Sequence, residues 1–149
     1  MVVNIQVADD VSSPLSPDLM MSAALAALRF AGAPPDAECT VVLTDDEELR
    51  RLNLQFLGVD APTDVLSFPA DFIDPDSNHP YLGDILISID RLLQQAAAQD
   101  HPAKQELLLL VVHGILHLLG HDHAEEAEKE RMWVLQDQIL SHLASEERE

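Results

Sequence analysis

The sequence predicts an α+β fold, a single small domain in which about five helices pack against a roughly four-stranded mixed sheet. Segments that alternate apolar and polar residues, as strands do, are interspersed with segments that carry helix caps and a helical apolar repeat. The 149 residues contain no internal repeat and no low-complexity linker, and they suffice for one core. Near the C-terminus one long segment is apolar almost all round, which is typical of a helix buried in the middle of a fold.

The first half of the chain is predicted to alternate strands and helices. Val2–Val7 alternates apolar and polar residues, and Ser16 followed by Pro17 is typical of a helix start. The segment Thr44–Glu47 is a capping box with acids in the first helical turn, and Gly58 stops the helix that follows. The predicted elements are therefore strand Val2–Val7, a helix from Ser16 to near Gly32, strand Cys39–Leu43 and a helix from Thr44 to near Gly58.

The second half begins with two strands and ends with three helices. The strands, Asp64–Phe68 and Tyr81–Ile89, flank an acidic loop, Pro69–Pro80. The helices are predicted at Asp90–Gln99, at Lys104–Leu119, which is the buried central one, and from Ala124 to about Leu143. The apolar face of the last helix is assigned to Met132, Val134, Leu135, Ile139, Leu140 and Leu143, and Trp133 is expected to anchor that helix in the core.

Composition excludes several classes of protein. With 27 Asp+Glu against 8 Lys+Arg, the net charge of -19 disfavours a simple basic nucleic-acid binder and adhesion to anionic membranes. The single cysteine, Cys39, excludes a disulfide framework and a cysteine-based zinc ribbon. The N-terminal segment has no export signal, and the most apolar run, Leu107–Leu119, is short for a membrane span and contains two histidines. We therefore expect a cytoplasmic protein that does not enter the membrane.

Four of the seven histidines fall within His113–His123. His113 and His117 are four residues apart on a predicted helix, so their side chains lie on one face, one turn apart. Gly120 is suited to end that helix and to turn the chain back, which returns His123 towards the same point. Three imidazoles with a fourth position open describe a catalytic zinc site better than a closed structural one, although nickel, copper or cobalt suit the same ligands. The alternative is that these are ordinary core or surface histidines.

The same spacing occurs in the zinc-protease string H-E-x-x-H-x-x-G-x-x-H. The glutamate that would act as general base in a protease is Gly114 in this chain. Without that carboxylate a protease lacks the group that takes the proton from attacking water, so a zinc peptidase or amidase is the lesser alternative. The preferred interpretation is a shared ligand geometry with a different chemistry.

Three motifs resemble those of the YbeY family of bacterial rRNA-maturation endoribonucleases. His113–His123 is similar to the family's H-G-x-L-H-L-x-G-y-D-H, with His121 where tyrosine is usual. Leu52–Asn53 followed by Asp60–Pro69 resembles its LN…D-x-P-T-D-V-L-S-F-P block, and Leu82–Ile85 resembles its L-G-D-I block. The motifs stand in the family's order, and with the helices around them they cover most of the chain.

The resemblance implies a single bound zinc ion, held by His113, His117 and His123, in a small α+β fold. It also implies a single-strand-specific endoribonuclease that acts in small-subunit rRNA maturation and in ribosome quality control. The implied partners are rRNA and the ribosome, small-subunit proteins and assembly GTPases.

The chain departs from the family at the end of the second predicted helix. The family continues from LN into an aromatic-Arg-Gly-basic-Asp segment, which reads Phe56–Asp60 here. Leu57 stands where the family's arginine is expected to face the metal site and meet phosphate, and Val59 stands at the basic position. Arg51, nearly two helical turns upstream, is the candidate substitute. Because phosphoryl chemistry depends on cationic stabilisation, a non-catalytic, zinc-stabilised ribosome-assembly factor is an alternative.

Three aspartates are candidates for orienting a metal-binding histidine or the substrate. Asp64 precedes a strand expected to border the site, Asp84 follows a glycine in the L-G-D-I block, and Asp122 lies between the metal histidines. For Asp64 and Asp84 the alternative is a structural role, in which the carboxylate satisfies backbone amides or faces solvent. Ser67 is expected to be a structural strand residue, and no residue is assigned as the catalytic base.

Overall fold

A mixed four-stranded sheet organises the molecule, whose computed structural model describes residues 1–121 and 125–147. The elements are β1 (Val2–Val7), α1 (Pro17–Phe30), β2 (Glu38–Thr44), α2 (Asp46–Leu57), β3 (Val65–Ile73), β4 (Pro80–Ser88), α3 (Ile89–Ala98), α4 (Ala103–Leu118) and α5 (Glu126–Glu147). The strand order is β1-β2-β4-β3, in which β1, β2 and β4 are parallel and β3 runs antiparallel to β4. The predicted single α+β domain with a mixed sheet and five helices is confirmed.

Helix α4 lies at the centre of the fold, as its composition predicts. It packs against α1, α3 and α5 on its sides and against β3 and β4 below. Most of its apolar residues are buried, Leu107, Val111 and Ile115 completely, and they join the main core with Ile85 and Ile87 of β4. In the described part of the chain, none of the helices combines the length and the apolar character that crossing a bilayer requires.

The opposite face of the sheet is covered in part by α2, which packs against β3 and β4. Successive strand residues alternate between the two faces, so Leu66 points away from α4 while its neighbour Ser67 points towards it. Leu66 and Leu49 of α2 are buried outside the main core cluster, and Phe56 meets Phe68 edge to face with ring centroids 5.3 Å apart. Helix α2 therefore belongs to the second face of the sheet.

Strand β3 is longer than the sequence predicts. Its pairing with β4 continues beyond Pro69, with an irregular step, to Phe72 opposite Tyr81 and Ile73 opposite Pro80. Half of the expected loop Pro69–Pro80 is thus strand, and the connection between β3 and β4 is confined to residues 74–79. Because β3 is an edge strand, the missing N–H of Pro69 removes no bond from a second neighbour, and the irregular step absorbs the proline.

Two helix starts differ by one residue from the prediction. The cap of α2 is Asp45, whose side chain accepts a hydrogen bond from the Glu48 amide at 2.9 Å, while Thr44 still pairs in the sheet. The cap of α3 is Ser88, so this helix begins at Ile89 and the strand before it ends one residue earlier. In both places the side chain that reaches the free amides of the first turn decides the boundary.

Two predictions for α5 are wrong: Trp133 does not anchor the helix in the core, and Val134 does not lie on its apolar face. Trp133 is 49% exposed and Val134 is 57% exposed, whereas Met132 and Ile139 are fully buried. Each residue advances about 100° around a helix, so positions one and two after Met132 rotate away from the core. Trp133 instead carries the Lys129 ammonium group 4.5 Å from its ring centre, and a cation–π contact replaces the expected core packing.

Candidate metal centre

The two histidines of α4 point their ring nitrogens at each other. The Nε2 atoms of His113 and His117 are 2.9 Å apart, and the ring centroids are 4.5 Å apart with the rings steeply tilted. Both side chains are half-buried, so solvent or substrate can reach them. The four-residue spacing predicted this shared face, and the structure confirms the predicted juxtaposition of the pair.

The chemistry of this pair fits a metal ion. A neutral imidazole offers a lone pair on one ring nitrogen only, and a cation between two such lone pairs satisfies both rings at once. Two imidazole nitrogens on one tetrahedral zinc at about 2.0–2.1 Å stand roughly 3.3 Å apart, which the observed separation approaches with a small ring rotation. Within residues 1–121 and 125–147, no three metal-ligating side chains converge. The predicted third ligand, His123, lies outside the described residues, as does Asp122.

Helix α4 ends immediately after the pair. Gly120 has φ of +88°, and the amides of Gly120 and His121 donate to the carbonyls of His117 and Leu116 at 3.0 Å. These two bonds are the pattern that ends helices at a left-handed residue, and a side chain at this backbone position would be strained. The predicted role of Gly120 in ending the helix is confirmed. Beyond it, Gly120 and His121 line a cavity of about 200 Å³ together with Glu128 and Arg131 of α5.

Gly114, between the two histidines, is the position at which α4 touches the sheet. A Cβ atom at Gly114 would lie 2.6 Å from Cγ2 of Ile85, well inside van der Waals contact. Its carbonyl also accepts a hydrogen bond from the Ser67 hydroxyl at 3.3 Å, which gives Ser67 the structural role expected of it. The glutamate of a zinc protease has no space here, so the packing argues against a peptidase on physical grounds.

Sequence reasoning missed one residue at this site, Gln136. Its Oε1 atom lies 3.4 Å from Nδ1 of His113, on the opposite edge of the ring from Nε2. Gln136 is half-buried on α5, between the fully buried Met132 and Ile139. The signal in the sequence was a polar residue at a helical spacing that otherwise places apolar side chains against the core.

Asp64 lies towards the other end of α4. Its carboxylate accepts hydrogen bonds from the Val65 amide at 2.8 Å and from the Gln95 side chain at 3.2 Å. Its charge also adds to the raised pKa of Glu106, which is caused mainly by burial of that carboxyl group. Since Glu106 is two helical turns before His113, roughly 10 Å along the helix, Asp64 is not brought to the histidine pair.

Asp84 lies on the opposite face of the sheet from α4. Gly83 and Ile85 face α4, and strand alternation turns Asp84 the other way. There its carboxylate accepts a hydrogen bond from the Tyr81 hydroxyl, within a connected set that we call the sheet-face network. The network consists of Asn4, Glu38, Thr40, Ser77, Tyr81 and Asp84. Asp84 therefore does not contact the histidine pair.

Packing explains why the second residue of the L-G-D-I block, Gly83, is a glycine. Its φ is +136°, and a Cβ atom there would overlap the Phe68 carbonyl oxygen and crowd Leu118 of α4. Only glycine lets β3, β4 and the end of α4 approach so closely. The block is thus a structural support for the turn of α4 that carries His117.

At the end of α2 the chain departs from the family motif, and both arginines of this helix are paired with carboxylates. Leu57 is 62% exposed and Val59 is 48% exposed. Arg51, the candidate substitute, is held by Glu48 on its own helix at 2.5 Å, and Arg50 is held by Asp60 at 2.6 Å. These exposed ion pairs contribute little to stability, but they neutralise the two cations of α2.

Comparison with known proteins defines the class. The family model for Endoribonuclease YbeY matches residues 4–144. The chain is 43% identical over 149 residues to Endoribonuclease YbeY of Chloroflexus aurantiacus, covering 96% of this chain and 97% of the relative. It is 44% identical over 126 residues to Endoribonuclease YbeY of Roseiflexus castenholzii, covering 82% and 79% of the two chains. The solution structure of TM1509 from Thermotoga maritima superposes with a TM-score of 0.66 at 28% identity, covering 98% of this chain and 91% of that one.

The match over nearly the whole chain places the protein among the hydrolases that cleave RNA. Within that class, the chain belongs to the YbeY family of endoribonucleases. Membership of this family gives the protein the activity of a nuclease, a class of hydrolase.

Proposed function

We propose that this protein is a zinc-dependent, single-strand-specific endoribonuclease that acts in the cytoplasm in small-subunit rRNA maturation and ribosome quality control. The observation that carries the proposal is the convergence of the His113 and His117 Nε2 atoms, on a chain of the YbeY family. A zinc ion held by these two side chains and by His123 would acidify water and polarise a phosphate oxygen of the RNA backbone.

The residues of the chain supply the support that such a reaction needs. Gly114 and Ser67 fix the histidine-bearing turn of α4 against β4 and β3, so the two imidazoles keep their separation. Gly120 ends α4 in a left-handed conformation, from which a returning chain would bring His123 to complete the ligand set. A site held by packed helix and sheet residues is more rigid than one built on loops, which favours catalysis by preorganisation.

Arg131 is the side chain that we propose for contact with the RNA phosphate. It lines the cavity beside Gly120 and His121, and its Nε atom donates to the Ala127 carbonyl, which holds the guanidinium group in place. Guanidinium groups bind phosphate oxygens through two parallel hydrogen bonds. Arg131 would thereby take over part of the role of the arginine that Leu57 replaces, although Glu128 in the same cavity weakens the local positive field.

The overall charge of -19 means that long-range forces repel RNA. We therefore propose that RNA is presented on the ribosome, with small-subunit proteins and assembly GTPases as partners. Binding would then depend on local contacts at the metal centre rather than on a basic surface.

The test is to substitute the pair and to measure zinc content and RNA cleavage together. His113→Ala and His117→Ala should each abolish uptake of the zinc ion and lower cleavage of single-stranded rRNA fragments at least about a hundredfold, since the Lewis acid is lost. The matched control is His101→Ala, an exposed histidine at the other end of α4, which should leave both quantities unchanged. Wild-type protein that is loaded with zinc yet leaves single-stranded rRNA intact at every pH would refute the nuclease.

A second candidate is a non-catalytic ribosome-assembly factor whose zinc stabilises the fold. It is favoured by exposed Leu57 and Val59 and by the pairing of Arg50 and Arg51 with carboxylates. For this candidate, chelation lowers the unfolding temperature while there is no cleavage to lose.

Leu57→Arg distinguishes the two candidates. For a nuclease it should raise kcat/KM for RNA cleavage by about tenfold, equivalent to about 1.4 kcal/mol of transition-state stabilisation, because it restores the cation that the family motif carries at this position. Leu54→Arg, an exposed site one turn earlier on α2, adds the same charge as a control and should change kcat/KM little. An equal increase in both variants would mean that only the net charge matters, and no cleavage in either would favour the assembly factor.

A further inference from the structure

Gln136 is a polar residue within an apolar stripe of α5. The stripe that faces α4 repeats at helical spacing through Met132, Ile139 and Leu143, all buried, and Gln136 lies on it. An apolar side chain at this position would extend the core contact between α4 and α5. The glutamine therefore has a different task, and its contact with His113 indicates which.

The contact is to the ring nitrogen of His113 that does not face His117. Oε1 of Gln136 can only accept a hydrogen bond, so the Nδ1 atom at 3.4 Å must be the donor. A neutral imidazole with its proton on Nδ1 has its lone pair on Nε2. That lone pair is the one directed at Nε2 of His117, where the proposed metal ion would be bound.

We infer that Gln136 is a positioning residue that selects the Nδ1–H tautomer of His113 and holds its ring in the metal-binding orientation. The inference rests on the proposed metal centre and specifies which residue prepares it. The amide accepts the hydrogen bond without adding a negative charge, which suits a chain with a net charge of -19. It also connects α5 to the metal centre, so the packing of α5 on α4 adjusts the affinity for the ion.

The experiment measures zinc affinity of the full chain by competition with a chromophoric chelator, with zinc alone as the probe. Gln136→Met keeps the length of the side chain and removes the acceptor, so it should weaken zinc binding by about 10–100-fold, the usual effect of losing such a partner. Gln136→Glu keeps an acceptor oxygen and should restore affinity to within a few-fold of wild type. Gln138→Met makes the same chemical change on an exposed position of α5 and should have no effect.

Two further measurements separate positioning from general stability. The urea midpoint of the metal-free Gln136→Met protein should equal or exceed that of wild type, because methionine suits the apolar stripe. The ¹⁵N shifts of the His113 ring in metal-free protein, at mildly alkaline pH, should show the proton on Nδ1 in wild type and a mixture of tautomers in Gln136→Met.

The outcomes are distinguishable from those of the nuclease proposal. Equal zinc affinity in wild type and Gln136→Met overturns the inference, as does a Gln136→Glu protein that binds as weakly as Gln136→Met. A wild-type protein that binds no zinc overturns the inference together with the metal centre. The predicted order of affinities without any RNA cleavage upholds the inference and refutes the nuclease.

Discussion

The histidine pair of α4 and the sheet-face network are both half-buried polar clusters, yet the groups that face each other in them differ in kind. In the network each group finds a partner within the chain: Glu38 accepts from Asn4 and Ser77, and the Tyr81 hydroxyl lies between Thr40 and Asp84. In the pair, His113 and His117 direct the same ring nitrogen at each other. The network joins donors to acceptors of different kinds, whereas the pair brings together two imidazole nitrogens, the kind of atom by which histidine binds zinc.

The difference shows how a functional polar cluster is distinguished from a structural one. Both contain side chains of the kinds that bind metals, and both lie beside the L-G-D-I block. Carboxylates that already accept hydrogen bonds from hydroxyl and amide groups need no ligand, and such buried networks stabilise one packing arrangement. Two imidazole nitrogens that face each other share a proton or bind a cation, according to the tautomers of the two rings. The direction of donors and acceptors, more than residue type, carries the inference.

The largest effect is expected at Gly114, which seats the histidine pair against the sheet. An added Cβ meets Cγ2 of Ile85 at 2.6 Å. At so short a distance we expect the upper part of the overpacking range, about 2–3 kcal/mol, while alanine is better than glycine in a helix by about 1 kcal/mol, so Gly114→Ala should lose about 1–2 kcal/mol net. Urea unfolding of the metal-free protein measures this loss, and zinc affinity should fall with it.

Ile85→Ala supplies the control for this prediction. It removes the atom that the new methyl group would meet, so Gly114→Ala should become stabilising by about 1 kcal/mol in that background. The double-mutant cycle should therefore give a coupling of about 2–3 kcal/mol. Additive effects of the two substitutions would show that Gly114 is not held by contact with Ile85.

Much of the fold follows from the sequence because local signals and tertiary packing agree there. The apolar repeat of α4, the caps of α1 and the glycines that end α2 and α4 each act within a few residues, and all of them form as predicted. The juxtaposition of His113 and His117 is predictable for the same reason, since a four-residue spacing on a helix fixes their shared face. The third ligand, His123, stays a prediction.

The features that the sequence could not predict depend on contacts between distant segments. The contact of Gln136 with His113 joins residues 23 apart in the chain and depends on how α5 is rotated against α4. The placement of Asp84 away from the histidines depends on which face of β4 meets α4, and alternation alone does not decide between the two faces. The exposure of Trp133 likewise follows from the rotation of α5, because its large apolar ring by itself favours burial.

In the sheet-face network we expect a smaller loss of stability than at Gly114. Tyr81→Phe removes the hydroxyl group that contacts Thr40 at 2.7 Å and donates to Asp84, and it should lower the free energy of unfolding by about 0.5–1.5 kcal/mol, as for an ordinary hydrogen bond that solvent partly replaces. Zinc affinity should not change, so zinc at a hundred times its dissociation constant should still stabilise the variant by about 2.7 kcal/mol.

His117→Ala should show the reverse pattern, with metal-free stability retained and the stabilisation by zinc lost. Thermal unfolding of wild type and both variants, each with and without zinc, measures the metal-free stability and the stabilisation by zinc of each variant relative to wild type. If Tyr81→Phe lost the stabilisation by zinc, the two faces of the sheet would be coupled. The hydroxyl group of Tyr81 would then support the histidine pair through β4, and the distinction between a structural cluster and a metal-binding one would fail.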